Sequence, residues 1–194
     1  MTVKRVFIAF DISPEAREAA AGHIDGLKLA FPHCLASWTQ PDKLHFTLRF
    51  LGDVEMGRVA SVCEAADEAA KKMPPFRISL AGAGVFPSAK KARILWLGTH
   101  GEVKSAQSLK QRLEVELRRA AFESDPRTFT PHVTIARIKD PNACGLLTDF
   151  HLKSEIATPP FLVKEIIVIE SSLKPSGSVY TVISKSAFAG IREN

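Results

Sequence analysis

Two short stretches carry side chains suited to chemistry. HFTLRF begins at His45 and HVTIAR at His132, and each reads histidine, apolar residue, threonine, apolar residue. Imidazole titrates near neutral pH, so one histidine can accept a proton while a second donates one. Two residues of one type hold both roles when their surroundings push their pKa values apart. Threonine hydroxyls and a guanidinium can hydrogen-bond a phosphoryl oxygen and stabilise charge as it builds there. Two histidines without Asp, Glu or Cys at ligand spacing do not complete a metal shell, so a metal-free acid–base pair is predicted.

Such a pair needs strands to aim it. Along a strand, side chains alternate between faces. His45, Thr47 and Arg49 then share one face of their strand, and Phe46, Leu48 and Phe50 the other. In the second copy His132, Thr134 and Ala136 share a face, while Val133 and Ile135 point away. Each strand offers an apolar side to a core and a polar side to a cleft. Strict alternation sets Arg137 away from His132, so to reach that face either the strand twists or bulges near its end or the long side chain curls round its edge.

The remaining elements follow from periodicity. Strands are predicted over 3–10, 44–51, 76–80, 93–99, 130–138, 164–171 and 179–185. A helix opens at Ser13-Pro14-Glu15 and buries Ala16, Ala20, Ile24, Leu27 and Phe31. His23 lies beside that stripe as a boundary histidine. A second helix is capped by Asp53 after a strand end at Gly52-Asp53, buries Val59, Val62, Cys63, Ala66, Ala70 and Met73, and stops at Pro74-Pro75. A third, over 102–122, turns Ala106, Leu109, Leu113, Leu117 and Ala120 inward and solvates Lys104, Lys110, Arg112, Arg118 and Arg119. Residues 82–91 read as a loop with two lysines, 139–160 as irregular with a short helix near 144–149, and Lys174-Pro175-Ser176-Gly177 as a turn. No Gly/Ser linker divides the chain. The pattern predicts an α+β fold of two similar lobes, with antiparallel or mixed sheets facing a central cleft and helices outside, as a single domain over 1–194.

Composition agrees with a soluble globular chain: 194 residues, 45% hydrophobic, 24% charged. No run approaches a membrane helix in length. MTVKRVFIAFD reads as a first strand, because an acid follows a short apolar run and no small-residue cleavage site appears. Three distant cysteines, Cys34, Cys63 and Cys144, form no CxxC pair and are expected to be reduced, which predicts a cytoplasmic protein. A net charge of +5 favours an anionic partner without naming one.

At these motifs the sequence resembles the two-histidine phosphoesterase superfamily, and more closely the LigT-like RNA 2′,3′-cyclic phosphodiesterases of bacteria and archaea, once described as 2′-5′ RNA ligases. The likeness takes in RVFIAFDIS, LHFTLRFLGDV, GVFPSAKKARILWLG, FTPHVTIAR and IESSLKPSGSVYTV. It implies a bilobal, pseudo-twofold fold and hydrolysis of a terminal 2′,3′-cyclic phosphate on RNA to a 2′-phosphate, without cofactor. It implies His45 as proton donor and His132 as proton acceptor, with Thr47 and Thr134 at the phosphate and Arg137 binding it. Arg49, Lys90 and Tyr180 are further substrate-binding candidates, with Lys91 and Arg93 beside Lys90. For the rings of Tyr180 and Phe10 the residues favour the core over base stacking. RNA ends with a cyclic phosphate, tRNA fragments or nucleotides are the implied partners, and the self-contained cleft predicts a monomer. Three alternatives stand: an enzyme acting on 2′-5′ linkages or small cyclic nucleotides, a non-catalytic RNA-binding protein, and a two-histidine metal protein.

Overall fold

The computed structural model describes residues 2–175 and 177–190. In chain order they form β1 (Val3–Asp11), α1 (Pro14–Ala30), β2 (Ala36–Trp38), β3 (His45–Glu55), α2 (Val59–Lys71), β4 (Phe76–Phe86), β5 (Ile94–Gly101), α3 (Val103–Arg119), β6 (Val133–Ile138), α4 (Gly145–Leu152), β7 (Phe161–Val163), β8 (Glu165–Lys174) and β9 (Gly177–Ala187). The order across the sheet is β7-β4-β5-β6-β3-β1-β8-β9, with β2 pairing the far end of β6, beyond its contact with β3, and every named pairing is antiparallel.

The two expected sheets are thus halves of one. They join through a single pair, Phe46 with Val133, between β3 and β6. The connectivity repeats about that seam: β1-α1-β3-α2-β4 in the first pass and β5-α3-β6-α4 leading to β8 in the second. A pseudo-twofold axis therefore exchanges β3 with β6, β1 with β5 and β8 with β4. Each pass starts in one half and ends in the other.

One face of the sheet carries the core. Val6, Ile8 and Phe10 of β1, Phe46 and Leu48 of β3, Ile78 and Leu80 of β4 and Leu95 and Leu97 of β5 are buried with Ala20, Ile24 and Leu27 of α1 and Leu109 and Leu113 of α3. Phe10 stacks on Phe46 at 4.8 Å and meets Phe76 edge-on at 6.0 Å, so Phe10 holds the expected core position. Burying each such ring contributes roughly 1.5–3 kcal/mol. The first helix begins for a local reason. Ser13 Oγ accepts the Ala16 N–H at 3.2 Å with Pro14 at the first helical position.

Several boundaries differ from the sequence expectation. β3 runs through Gly52-Asp53 instead of stopping there, because Gly52 takes φ 74° and lets the strand bulge past Leu51, so Asp53 caps no helix. β4 likewise continues to Phe86, with Gly82 at φ 71° inside a second irregularity, so the first half of the expected 82–91 loop is strand. β2 and β7, of three residues each, give too short a pattern to be read. Lys110 is buried, not solvated. The turn at 174–177 is bracketed by the Lys174–Gly177 pair, and its Ser176 lies outside the described residues.

The cysteine expectation is also corrected. Cys34 and Cys144 form a disulfide, with Cα atoms 5.4 Å apart, and only Cys63 is free. The inference of a reducing compartment rested on three thiols and loses that support. No helix among the described residues is long and apolar enough to cross a membrane.

Candidate active site

The seam between the halves places the two motifs side by side. Phe46 pairs with Val133, and carrying that antiparallel register one residue either way sets Thr134 opposite His45 and Thr47 opposite His132. Each histidine thus stands across the seam from the other motif's threonine.

The imidazoles are held in the same way. His45 Nδ1 lies 2.7 Å from the Lys43 carbonyl and His132 Nδ1 lies 2.6 Å from the Thr130 carbonyl. A carbonyl only accepts, so each Nδ1 carries a hydrogen and each Nε2 is left for chemistry. In His45 that Nε2 is 3.0 Å from Thr47 Oγ1. Burial lowers the pKa of His45, and its bond to the Lys43 carbonyl and the Asp11 carboxylate oppose the shift, while Arg17 and His132 add to it. Burial lowers His132 too, and the Thr130 carbonyl opposes it. Asp11 pairs across the strands with His45 and is itself bound by Arg17.

Aromatic rings frame both histidines. Phe7 stacks on His45 at 4.9 Å, and Tyr180 approaches it edge-on at 5.7 Å. Phe86 and Trp96 lie 5.1 and 5.8 Å from His132. Tyr180 is half-exposed on the wall of a cavity of about 420 Å³ beside His45, which corrects its expected core position. Phe7, Phe86 and Trp96 belong to no motif and are absent from the residues that the sequence singles out. Trp96 has a legible signal, since it alternates with the buried Leu95 and Leu97 and must face the other way.

A pair of bulges decides where the arginines go. Leu95 pairs with Ala136 and Trp96 with Thr134, so Ile135 is an extra residue in β6. Ile8 pairs with Arg49 and Ala9 with Thr47, so Leu48 is extra in β3. Both bulges fall on the residue after the motif threonine, and each reverses the alternation beyond it. Ile135 and Ala136 are consecutively buried and Arg137 emerges exposed on the cleft side, near enough to Tyr180 to favour its ionised form against burial. The same reversal corrects the face expected of Arg49. Its guanidinium turns to the helix side, 3.2 Å from Asp125 and 3.6 Å from Glu114. Phe50 takes the cleft-side place that Arg137 holds in the other half. Lys90 stands exposed on a turn after Phe86, as do Lys91 and Arg93.

A curled antiparallel sheet with two symmetry-related His-x-Thr units at its seam defines an acid–base phosphoesterase scaffold. The chain belongs to the LigT-like phosphoesterase family, whose pattern matches residues 10–96 and 98–180. It is 31% identical to an RNA 2′,3′-cyclic phosphodiesterase of Aquifex aeolicus over 98% of this chain and 100% of that one. It is 30% identical to a protein of that name from Methanothermobacter thermautotrophicus, over 91% and 95% of the two chains. Its fold matches a crystal structure from Thermus thermophilus with a TM-score of 0.74 at 26% identity, covering 97% of this chain and 100% of that one. It matches E. coli LigT, crystallised with 3′-AMP, with a TM-score of 0.74 at 23% identity over 96% and 99% of the chains.

Proposed function

We propose that residues 1–194 act as one bilobal, monomeric unit that hydrolyses the 2′,3′-cyclic phosphate at an RNA 3′ end, leaving a 2′-phosphate. The observation that carries this reading is the matched pair of imidazoles on one seam, each with Nδ1–H bonded to a carbonyl so that Nε2 is the atom left to exchange a proton, in His45 beside the Thr47 hydroxyl. The names borne by relatives that align over nearly the whole chain supply the substrate class.

Neutral His132 takes a proton from water through Nε2 as the oxygen attacks phosphorus. Protonated His45 gives its Nε2 proton to the departing 3′ oxygen. The P–O3′ bond breaks as the new P–O bond forms, and the proton gained at His132 returns through solvent to His45. Burial holds both rings toward the neutral form before substrate arrives. The negative phosphodiester raises the proton affinity of a neighbouring imidazole. At His45 the Asp11 carboxylate adds to that effect and Arg17 opposes it, and the role of acid is assigned to His45 by its match to the family's first motif. Thr47, Thr134 and Arg137 hold the non-bridging oxygens. Tyr180 and the cavity beside His45 receive the terminal nucleoside, because the leaving oxygen and the base belong to the same residue of RNA.

The test is hydrolysis of a short RNA ending in a 2′,3′-cyclic phosphate, with EDTA present, by wild type, His45→Ala and His132→Ala. Removing a general acid or base lowers the rate by about 10²–10⁴-fold. The product should resist a 3′-specific phosphatase. Turnover by either folded variant at the wild-type rate would remove the paired-histidine mechanism, and inhibition by EDTA would redirect the search to a metal.

A further inference from the structure

We propose that Arg49 is a positioning residue for His132, acting through the segment that leads into the second motif and making no contact with substrate. The proposal rests on the hydrolytic reading above.

Arg49 occupies a place where the fold asks for a small apolar side chain. Its counterpart across the pseudo-twofold axis is Ala136, fully buried against the core. Arg49 instead sets a guanidinium there with 10% of its side chain exposed. Asp125 lies 3.2 Å away, Glu114 faces Nε at 3.6 Å, and Nη2 donates to the Glu123 carbonyl at 2.6 Å. Lys110 is bound to Glu114 and lies 3.7 Å from Asp125. Glu114 accepts the Asp125 N–H at 3.2 Å, and Arg127 chelates the Asp125 carboxylate at 2.8 and 2.9 Å. That bond to Arg127, with Lys110 adding to it, holds the Asp125 carboxyl well below the usual range.

Burying such a set costs more than filling the space with apolar side chains, and what a paired network supplies is a defined geometry. Here it defines the path of residues 123–127. That path continues through Pro126 to Thr130-Pro131, and both prolines restrict the backbone between the anchor and the motif. The Pro131 carbonyl is taken by Thr99 at 3.3 Å, and the Thr130 carbonyl is the acceptor for His132 Nδ1–H. Arg49 belongs to the strand of His45 and Thr47. One side chain thus sets the proton acceptor of the second motif by reference to the strand of the first.

The experiment compares wild type, Arg49→Lys, Arg49→Met and Asp125→Asn by steady-state hydrolysis of a cyclic-phosphate-ended RNA between pH 5 and 9, by thermal melting, and by NMR of histidine labelled with nitrogen-15, without substrate. In Arg49→Met, kcat should fall about tenfold or more while KM stays within about twofold, as expected for lost orientation at the reacting centre. The Nδ1–H resonance of His132 should weaken and its titration should move to lower pH, because the carbonyl that favours the charged ring has moved off. Arg49→Lys should recover part of kcat. Asp125→Asn, at the loop end of the same contact, carries these readouts if Arg49→Met fails to fold. A rise in KM at constant kcat would make Arg49 a substrate contact and overturn the proposal. A lower melting temperature with kcat and the His132 signals unchanged would make it a structural tie only. The NMR arm needs no turnover, so an inactive wild type would count against the hydrolytic reading while the His132 resonance still decides the role of Arg49.

Discussion

Replacing Gly84 with alanine should disable the second half of the site without touching either motif. A Cβ built on Gly84 would stand 2.1 Å from Trp96 Cζ2, 2.2 Å from Cη2 and 2.5 Å from Cε2. Carbon atoms in contact prefer about 3.5–4.0 Å, so the indole must retreat by roughly 1.4 Å. Phe86 and His132 flank it at 5.3 and 5.8 Å, so the retreat presses on the predicted base. Overpacking of this kind costs about 1–3 kcal/mol. For a chain of this size that is roughly 2–12 °C in Tm. A displacement near 1 Å at the reacting centre costs on the order of a hundredfold in rate. The assay is thermal melting together with kcat on a cyclic-phosphate RNA, for Gly84→Ala and for Gly22→Ala. Gly22 lies in α1, where an added Cβ would meet nothing within 4 Å, so its replacement should leave kcat unchanged and hold or raise stability. Pairing Gly84→Ala with Trp96→Leu should restore much of the lost stability. A Gly84→Ala protein with wild-type Tm and kcat would refute the packing of Trp96 on Gly84 and its support of His132.

Three other outcomes are expected. Reducing the Cys34–Cys144 bridge, which closes a separation of 110 residues, should lower Tm by on the order of 10 °C from chain entropy of about 4–5 kcal/mol, with Cys34→Ser unresponsive to reductant. Burial, with His151 adding to it, pushes the His23 imidazole from the ordinary 6.5 down to about 4. The unfolded chain then binds the extra proton between those values, so this stability is present above pH 6.5 and lost as pH falls toward 4. At about pH 5 the loss is about 1 kcal/mol after discounting for partial exposure, and His23→Gln should flatten the pH dependence of Tm by that amount. Arg137→Gln should raise KM roughly tenfold with a smaller effect on kcat, and an unchanged KM would remove Arg137 from the phosphate site.

The motifs are legible in the sequence because period-two alternation is a local signal. Phe46 and Leu48 are fully buried, and His45 and Thr47 between them only partly, as alternation requires. What stays hidden is set by non-local pairing. The bulges at Leu48 and Ile135 exist only as mismatches with β1 and β5, so no reading of β3 or β6 alone could send Arg49 inward and Arg137 outward. Lys110 reads as part of a solvated helix face because its partner Asp125 lies in a loop without periodicity. Cys34 and Cys144 give no spacing signature, since the fold that brings α4 beside the end of α1 is what pairs them. His151 carries no local signal for the same reason: its Nε2 reaches the Gly84 and Trp96 carbonyls at 3.1 and 3.2 Å, and its Nδ1 meets His23 Nε2 at 3.0 Å.

The interleaving of the two passes has a consequence for how activity is acquired. Neither half of the molecule is a continuous stretch of chain: β1 and β3 are completed by β8 and β9, and β5 and β6 lie beside β4, which belongs to the first pass. A ribosome that has delivered residues through Ile138 has delivered both histidines, both threonines and Arg137. It has not delivered the β8–β9 hairpin that covers β1 and supplies Tyr180. Contacts of such long sequence separation close late and slowly. Hydrolysis should therefore switch on only as the carboxy-terminal hairpin docks, which makes enzymatic turnover a direct clock for the last step of folding.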